Sequence, residues 1–209
     1  MMQPLRLRWR SITVLAVAVL GLTGLAGAVA QGAQPGDMIE FDMVPSASAE
    51  EAGCLADARA HVTVETVGAN QHMTVNIEGA PADTGFVLFV IQVPNFPFGM
   101  SWYQGDVDTG ADGTGSEEFV GRFNEETFVV APGTAPAPVV HDADAVSNPA
   151  TGPVHMFHLG LWFDVVDDAI AAGCGDATTP FNGDHTAGIQ ALSTRNYPDE
   201  EGPLRQLAA

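Results

Sequence analysis

The 209-residue sequence carries 26 acidic residues against seven basic ones, a formal charge of −19 at neutral pH, and it contains no lysine. A surface so poor in cations repels phosphate backbones and anionic lipid headgroups. That excludes nucleic acid and direct membrane-surface binding, both of which depend on clustered Lys and Arg.

In chain order, residues 1–30 have the three parts of an export signal. Arg6, Arg8 and Arg10 form a positive start, Ile12 to Leu25 an apolar stretch, and Ala28-Val29-Ala30 a small-residue cleavage motif, so Gln31 is the expected first mature residue. The apolar stretch is shorter than the ~20 residues a spanning helix needs. Removing residues 1–30 leaves Arg59, Arg122, Arg195 and Arg205 as the basic residues and a formal charge of −22. The expectation is a secreted or periplasmic protein with no membrane span after cleavage, folded as one domain over 31–209. Cys54 and Cys174 are the chain's two cysteines. In an oxidising compartment such an isolated pair reads as a disulfide.

Beyond the leader, the pattern is strands and turns. His61–Val67 and Gln71–Glu78 alternate apolar and polar residues about Gly68-Ala69-Asn70, which reads as a hairpin. Matching the apolar faces suggests Val64 opposite Val75, Val62 opposite Ile77 and His61 opposite Glu78. Phe86–Val93 is almost continuously apolar, as a strand buried on both sides would be. Glu117–Phe123, Thr127–Ala131, Val154–Phe163 and Ala187–Thr194 are further strands, and Pro132–Pro153 is a Pro-rich loop. Asp164 reads as the N-cap of one short helix near the C-terminus, stopped by Gly173 and delivering Cys174.

The expected class is all-β, an antiparallel β-sandwich. The strand pattern, with Gly79-Ala80-Pro81-Ala82-Asp83-Thr84-Gly85-Phe86 leading into a buried strand, resembles the immunoglobulin-like sandwiches of exported bacterial proteins. Such folds host unrelated functions, so the resemblance implies an architecture and no chemistry.

Four sets of residues invite functional readings. Phe96, Phe98, Trp102 and Tyr103 lie in a Pro/Gly-rich stretch and could form an apolar platform with a polar rim for a protein or glycan. The competing reading has Trp102 and Tyr103 beginning a strand while Phe96 and Phe98 plug the end of the fold. Asp106, Asp108 and Asp112, with Glu117 or Glu118 beyond them, could offer oxygens to calcium. The match to a calcium loop is poor, because Gly110 stands where a third ligand is expected, and the same residues serve a turn equally well. His155 and His158 fall on opposite faces of a strand and so do not suit one metal. His141, Asp142, Asp144 and His185 lie in loops.

No Gly-x-Ser-x-Gly elbow is present. The sequence therefore favours an exported acidic binding or structural module acting through the aromatic stretch. A metal-binding protein is the alternative, calcium ahead of copper or zinc. A hydrolase built from His141, Asp142 and His185 comes third.

Overall fold

The computed structural model of the protein describes residues 38–127 and 153–207, all within one compact unit, Ala33–Ala209. The expected leader and cleavage motif, the expected strand and loop residues from 128 to 152 with His141, Asp142 and Asp144, and the last two residues lie outside the described residues. Among those described, the strands are β1 (Met38–Pro45), β2 (Arg59–Val67), β3 (Asn70–Glu78), β4 (Gly85–Ile91) and β5 (Ser101–Asp108). They continue with β6 (Gly115–Gly121), β7 (Glu125–Thr127), β8 (Pro153–His155), β9 (His158–Phe163) and β10 (Gln190–Ser193). Two short helices, α1 (Ala47–Ala52) and α2 (Val166–Ala171), and a 3-10 turn at Pro203–Gln206 complete the set.

The fold is all-β and antiparallel. Eight strands pair in the order β5-β4-β9-β10-β1-β2-β3-β6, and β7 pairs with β8 in a separate ribbon. Two separately paired sheets were expected, but β1 belongs to both halves. Its Met38–Met43 stretch pairs with β2, and Val44–Pro45 pairs with β10. At the far ends, β5 and β6 approach one another: a Cβ at Gly105 would meet the Phe119 ring at 2.6 Å. The sheet is therefore nearly closed on itself, which shields most of its edges.

Alternation explains the core. On β1, Ile39, Phe41 and Met43 are buried between exposed Met38, Glu40 and Asp42, and β2 and β3 repeat the pattern with Val62, Val64, Met73 and Val75. These side chains meet Phe86, Leu88 and Val90 of β4 and Leu159, Leu161 and Phe163 of β9 in one cluster. Each contributes on the order of 1.5–3 kcal/mol by leaving water.

The hairpin register differs from the expected one. Val62 faces Val75, Val64 faces Met73, and Glu78 lies opposite Arg59, with His61 opposite Asn76. The turn is two residues, Gly68 and Ala69, so Val67 pairs with Asn70. A slip of two keeps every side chain on its own face, so the apolar pattern cannot distinguish the two registers.

The expected run Val154–Phe163 is two strands, broken at Met156-Phe157. Helix α2 begins one residue later than the Asp164 signature suggests, because Asp164 N–H still donates to Gly85 O; Val165 holds the cap position without a side-chain bond. Gly173, at φ +75°, follows the helix end as expected, and Cys174 bonds to Cys54 with Cα atoms 5.4 Å apart. No helix among the described residues is long and apolar enough to cross a membrane.

Candidate functional site

Strands β4 and β9 are buried on both faces. Their second face carries a separate cluster, Val87, Phe89, Ile91 and Trp162, against which Phe98 and Phe181 pack. Two irregular segments make this cover. The first is the loop after β4, knitted by Val93 N–H to Phe98 O at 3.1 Å and by Met100 N–H to the Gln92 carboxamide oxygen at 2.6 Å. Its Gly99 (φ +68°) leaves room for Gln92, whose Oε1 would lie 2.4 Å from a Cβ there. Phe98 also has positive φ, +58°. That conformation costs a non-glycine residue about 1 kcal/mol or more. It is offset by the ring's edge-on contacts with Trp162 at 5.1 Å and Phe181 at 5.8 Å.

The second cover is the segment before β10. A bridge between Thr179 and Ala187 closes it, and Asn182 Nδ2 donates to Asp164 O at 2.7 Å. This fixes Phe181, which stacks flat on Trp162 with centroids 4.0 Å apart and also meets Phe89 edge-on at 4.8 Å. Trp162 is fully buried, and its Nε1–H has no hydrogen-bond partner among the described residues.

Between β5 and the Phe181 segment an open cleft of about 490 Å3 runs over β4. Val87 and Phe89 form its floor, Tyr103 and Asp106 line it from β5, and Asp164 and Phe181 line the opposite side. Tyr103 reaches this face because a bulge between Leu88 and Phe89 sets it opposite Phe89, with ring centroids 5.7 Å apart. Its hydroxyl donates to Asp106 Oδ1 at 2.7 Å. Burial first, then that bond and the charges of Asp106 and Asp164, push the phenol pKa up to about 12. No ion pair among the described residues involves Asp106 or Asp164.

The four aromatic residues singled out from the sequence do not form one platform. Phe98 is half-buried in the cluster, and Tyr103 borders the cleft. Phe96 is 85% exposed and touches the cluster through Phe98, with centroids 5.9 Å apart. Trp102 pairs with Val90, a core residue, and so points to the other face of β5 from Tyr103.

The aspartates also separate. Asp106 and Asp108 belong to β5, while Asp112 sits in the turn joining β5 to β6 and accepts from the Thr114 hydroxyl and amide. Those bonds, the hydroxyl's first, hold the Asp112 carboxyl below the usual carboxylate range. Among the described residues no three His, Cys, Asp or Glu side chains are grouped to hold a metal ion.

His158 is fully buried: Nε2 lies 3.0 Å from Asp199 O, and Nδ1 lies 2.8 Å from Thr194 Oγ1. A carbonyl only accepts, so Nε2 carries the proton and Nδ1 accepts from the threonine. His155 instead stacks on Phe157, centroids 5.6 Å apart, and His185 is exposed in its loop. His141 and Asp142 lie outside the described residues.

Sequence reasoning missed Phe89, Trp162, Phe181 and Asp164 as site residues. The usable signal was the unbroken apolar character of β4 and β9, since outward-facing Phe89 and Trp162 require a cover from elsewhere in the chain. Comparison of the sequence with family models and with curated proteins returns no match.

Proposed function

We propose that the protein is an exported acidic binding module, engaging a protein or glycan partner through the aromatic surface around Phe96, Phe98 and Tyr103 and the cleft beside it. The observation that carries this reading is Phe96: a large apolar ring at 85% exposure, resting on Phe98 and through it on the buried aromatic cluster whose Phe181 lines the cleft. Exposed rings on a fixed support give contact area at low entropic cost, which suits the faces of sugars and apolar partner side chains. Export is supported by the leader pattern and by the Cys54–Cys174 bond, which belongs to oxidising compartments. An immunoglobulin-like scaffold forms part of the same proposal. The core enclosed by the two halves of the sheet favours it, and the strand β1 shared between them weighs against it.

A glycan array and a panel of candidate exported proteins, probed with Gln31–Ala209, test the reading. Wild-type binding that Phe96→Ser abolishes at an unchanged melting temperature supports it. Binding that survives both Phe96→Ser and Tyr103→Ala overturns it, as does a silent array and panel.

A further inference from the structure

The eight-strand order leaves β5 and β6 at its two ends, with no ladder between them among the described residues. They come together beside their turn, where a Cβ at Gly115 would meet Asp108 O at 2.3 Å, and the Phe119 ring fills the space over Gly105. Toward Ser101, no pairing among the described residues joins them.

The ladder on the other side of β5 fixes which backbone groups are left over. Gln92 N–H donates to Met100 O, and hydrogen-bonded positions alternate along an antiparallel pair. Trp102, opposite Val90, therefore turns its N–H and C=O toward β4, and Ser101 and Tyr103 turn theirs away from it. The bulge leaves Gln104 between the pairs Phe89–Tyr103 and Leu88–Gly105 and ends this regular stretch. The main-chain donors and acceptors of Ser101 and Tyr103 thus stand in a row with no strand beside them among the described residues.

The two edges differ in their protection. Edge strands commonly carry charges or proline, which disfavour pairing with another chain. Strand β6 carries Glu117 and Glu118, both exposed. Ser101–Gly105 has neither a charged residue nor a proline, in a chain with 26 acidic residues. Instead it presents rings: Trp102 is 46% exposed and Tyr103 50%, and the loop leading into β5 holds Phe96.

An unpaired main-chain row calls for another main chain. An extended peptide supplies donors and acceptors at strand spacing and side chains on both faces, which a sugar does not. A second copy of this chain would bring a charge of −22 against another of −22, which opposes self-pairing.

We propose that the Ser101–Tyr103 edge takes up an extended segment of a partner protein as an added strand. The segment's main chain bonds to Ser101 and Tyr103, and its alternate side chains lie beside Tyr103 on one face and Trp102 on the other. This rests on the reading of the aromatic surface as a recognition site and narrows its partner to a protein held through the main chain.

Amide hydrogen exchange of Gln31–Ala209, read residue by residue by NMR, tests the edge first. In the free protein the amides of Ser101 and Tyr103 should exchange about a hundredfold faster than that of Trp102. Slow exchange at all three means that the edge is already covered and overturns the proposal. A linear dodecapeptide selected from a random phage-displayed library against the protein is the probe for binding. It should slow exchange at Ser101 and Tyr103 and leave Trp102 as it was. N-methylation of the peptide should weaken binding about tenfold at residues facing β5 and little at those between them. Ser101→Pro removes an outward N–H that the β4 ladder does not use, and should weaken binding about tenfold at an unchanged melting temperature.

Peptide binding that Phe96→Ser abolishes, but that ignores Ser101→Pro and N-methylation, overturns the added strand and leaves the aromatic surface standing. A library without binders, beside a glycan array with them, overturns the protein partner and keeps the surface. Protection of Ser101 and Tyr103 that grows with protein concentration alone, with dimers in sedimentation, makes the occupant a second copy and overturns the assignment. Silence of both library and array overturns the added strand together with the recognition surface.

Discussion

His158 shows how burial decides the chemistry of one side chain. Two histidines three apart look like metal ligands, yet His155 ends β8 and His158 opens β9, strands of different sheets, and the structure commits both nitrogens of His158 to Thr194 and Asp199. Burial is the main cause that lowers its pKa below the usual 6.5, ahead of the opposing bond to Asp199 O. The folded protein thus keeps a neutral imidazole at a pH where the unfolded chain has already taken a proton. Its contribution to stability is complete above pH 6.5 and is lost as pH falls from there toward the folded-state value. Melts of wild type and His158→Gln between pH 5 and 8 check this: the wild type should lose stability on acidification through that window more steeply than the variant. Parallel profiles would place the proton uptake elsewhere. At the same scale, Gly202 leaves no room for a side chain, since a Cβ there would lie 2.1 Å from Phe157 O and 2.7 Å from the His158 ring.

At the scale of elements, what the sequence makes legible is whatever one strand decides alone. The two-sided burial of β4 follows from its unbroken apolar run, and the β2–β3 hairpin from alternation around Gly68. Alternation equally marks β1, where Met-Ile-Glu-Phe-Asp-Met alternates exposed and buried, though that signal went unused. Register within the hairpin was not legible, because a two-residue slip preserves both faces. The cluster over Trp162 was not legible either, since it joins residues 98, 162 and 181, whose proximity no local pattern records. The post-β4 loop is therefore both cover and recognition surface, and substitution should separate the two roles. Phe98→Ala removes a half-buried ring that touches Trp162 and Phe181. It should cost about 2 kcal/mol, less than the 3–5 of a fully buried aromatic, and leave the domain folded. Urea denaturation reads this directly. A loss above 4 kcal/mol would make the loop core, and a loss near zero would detach it from the cluster.

Across the whole molecule, the disulfide and the sheet order tie distant parts of the chain together. Cys54 and Cys174 are 120 residues apart and join the segment after α1 to the end of α2. Closing so long a loop restricts the unfolded chain, worth about 4–5 kcal/mol in the chain-entropy model. The Cys54→Ser/Cys174→Ser double variant should lose about that much in denaturant titrations, with a steeper transition as a less restricted unfolded state exposes more surface. An unchanged midpoint would mean that the sheet alone sets the stability. Sheet order has a consequence in time as well as in energy. Strand β1 is made early, yet its partner β10 (Gln190–Ser193) is among the last strands made. A chain that emerges from its N-terminus lacks the hydrogen-bonded strand that joins β1 to β9 until that late stretch is free. Completeness is thus read by the architecture itself: a copy interrupted before β10 leaves β1 and β9 without their shared neighbour and should be digested faster than the full chain in limited proteolysis.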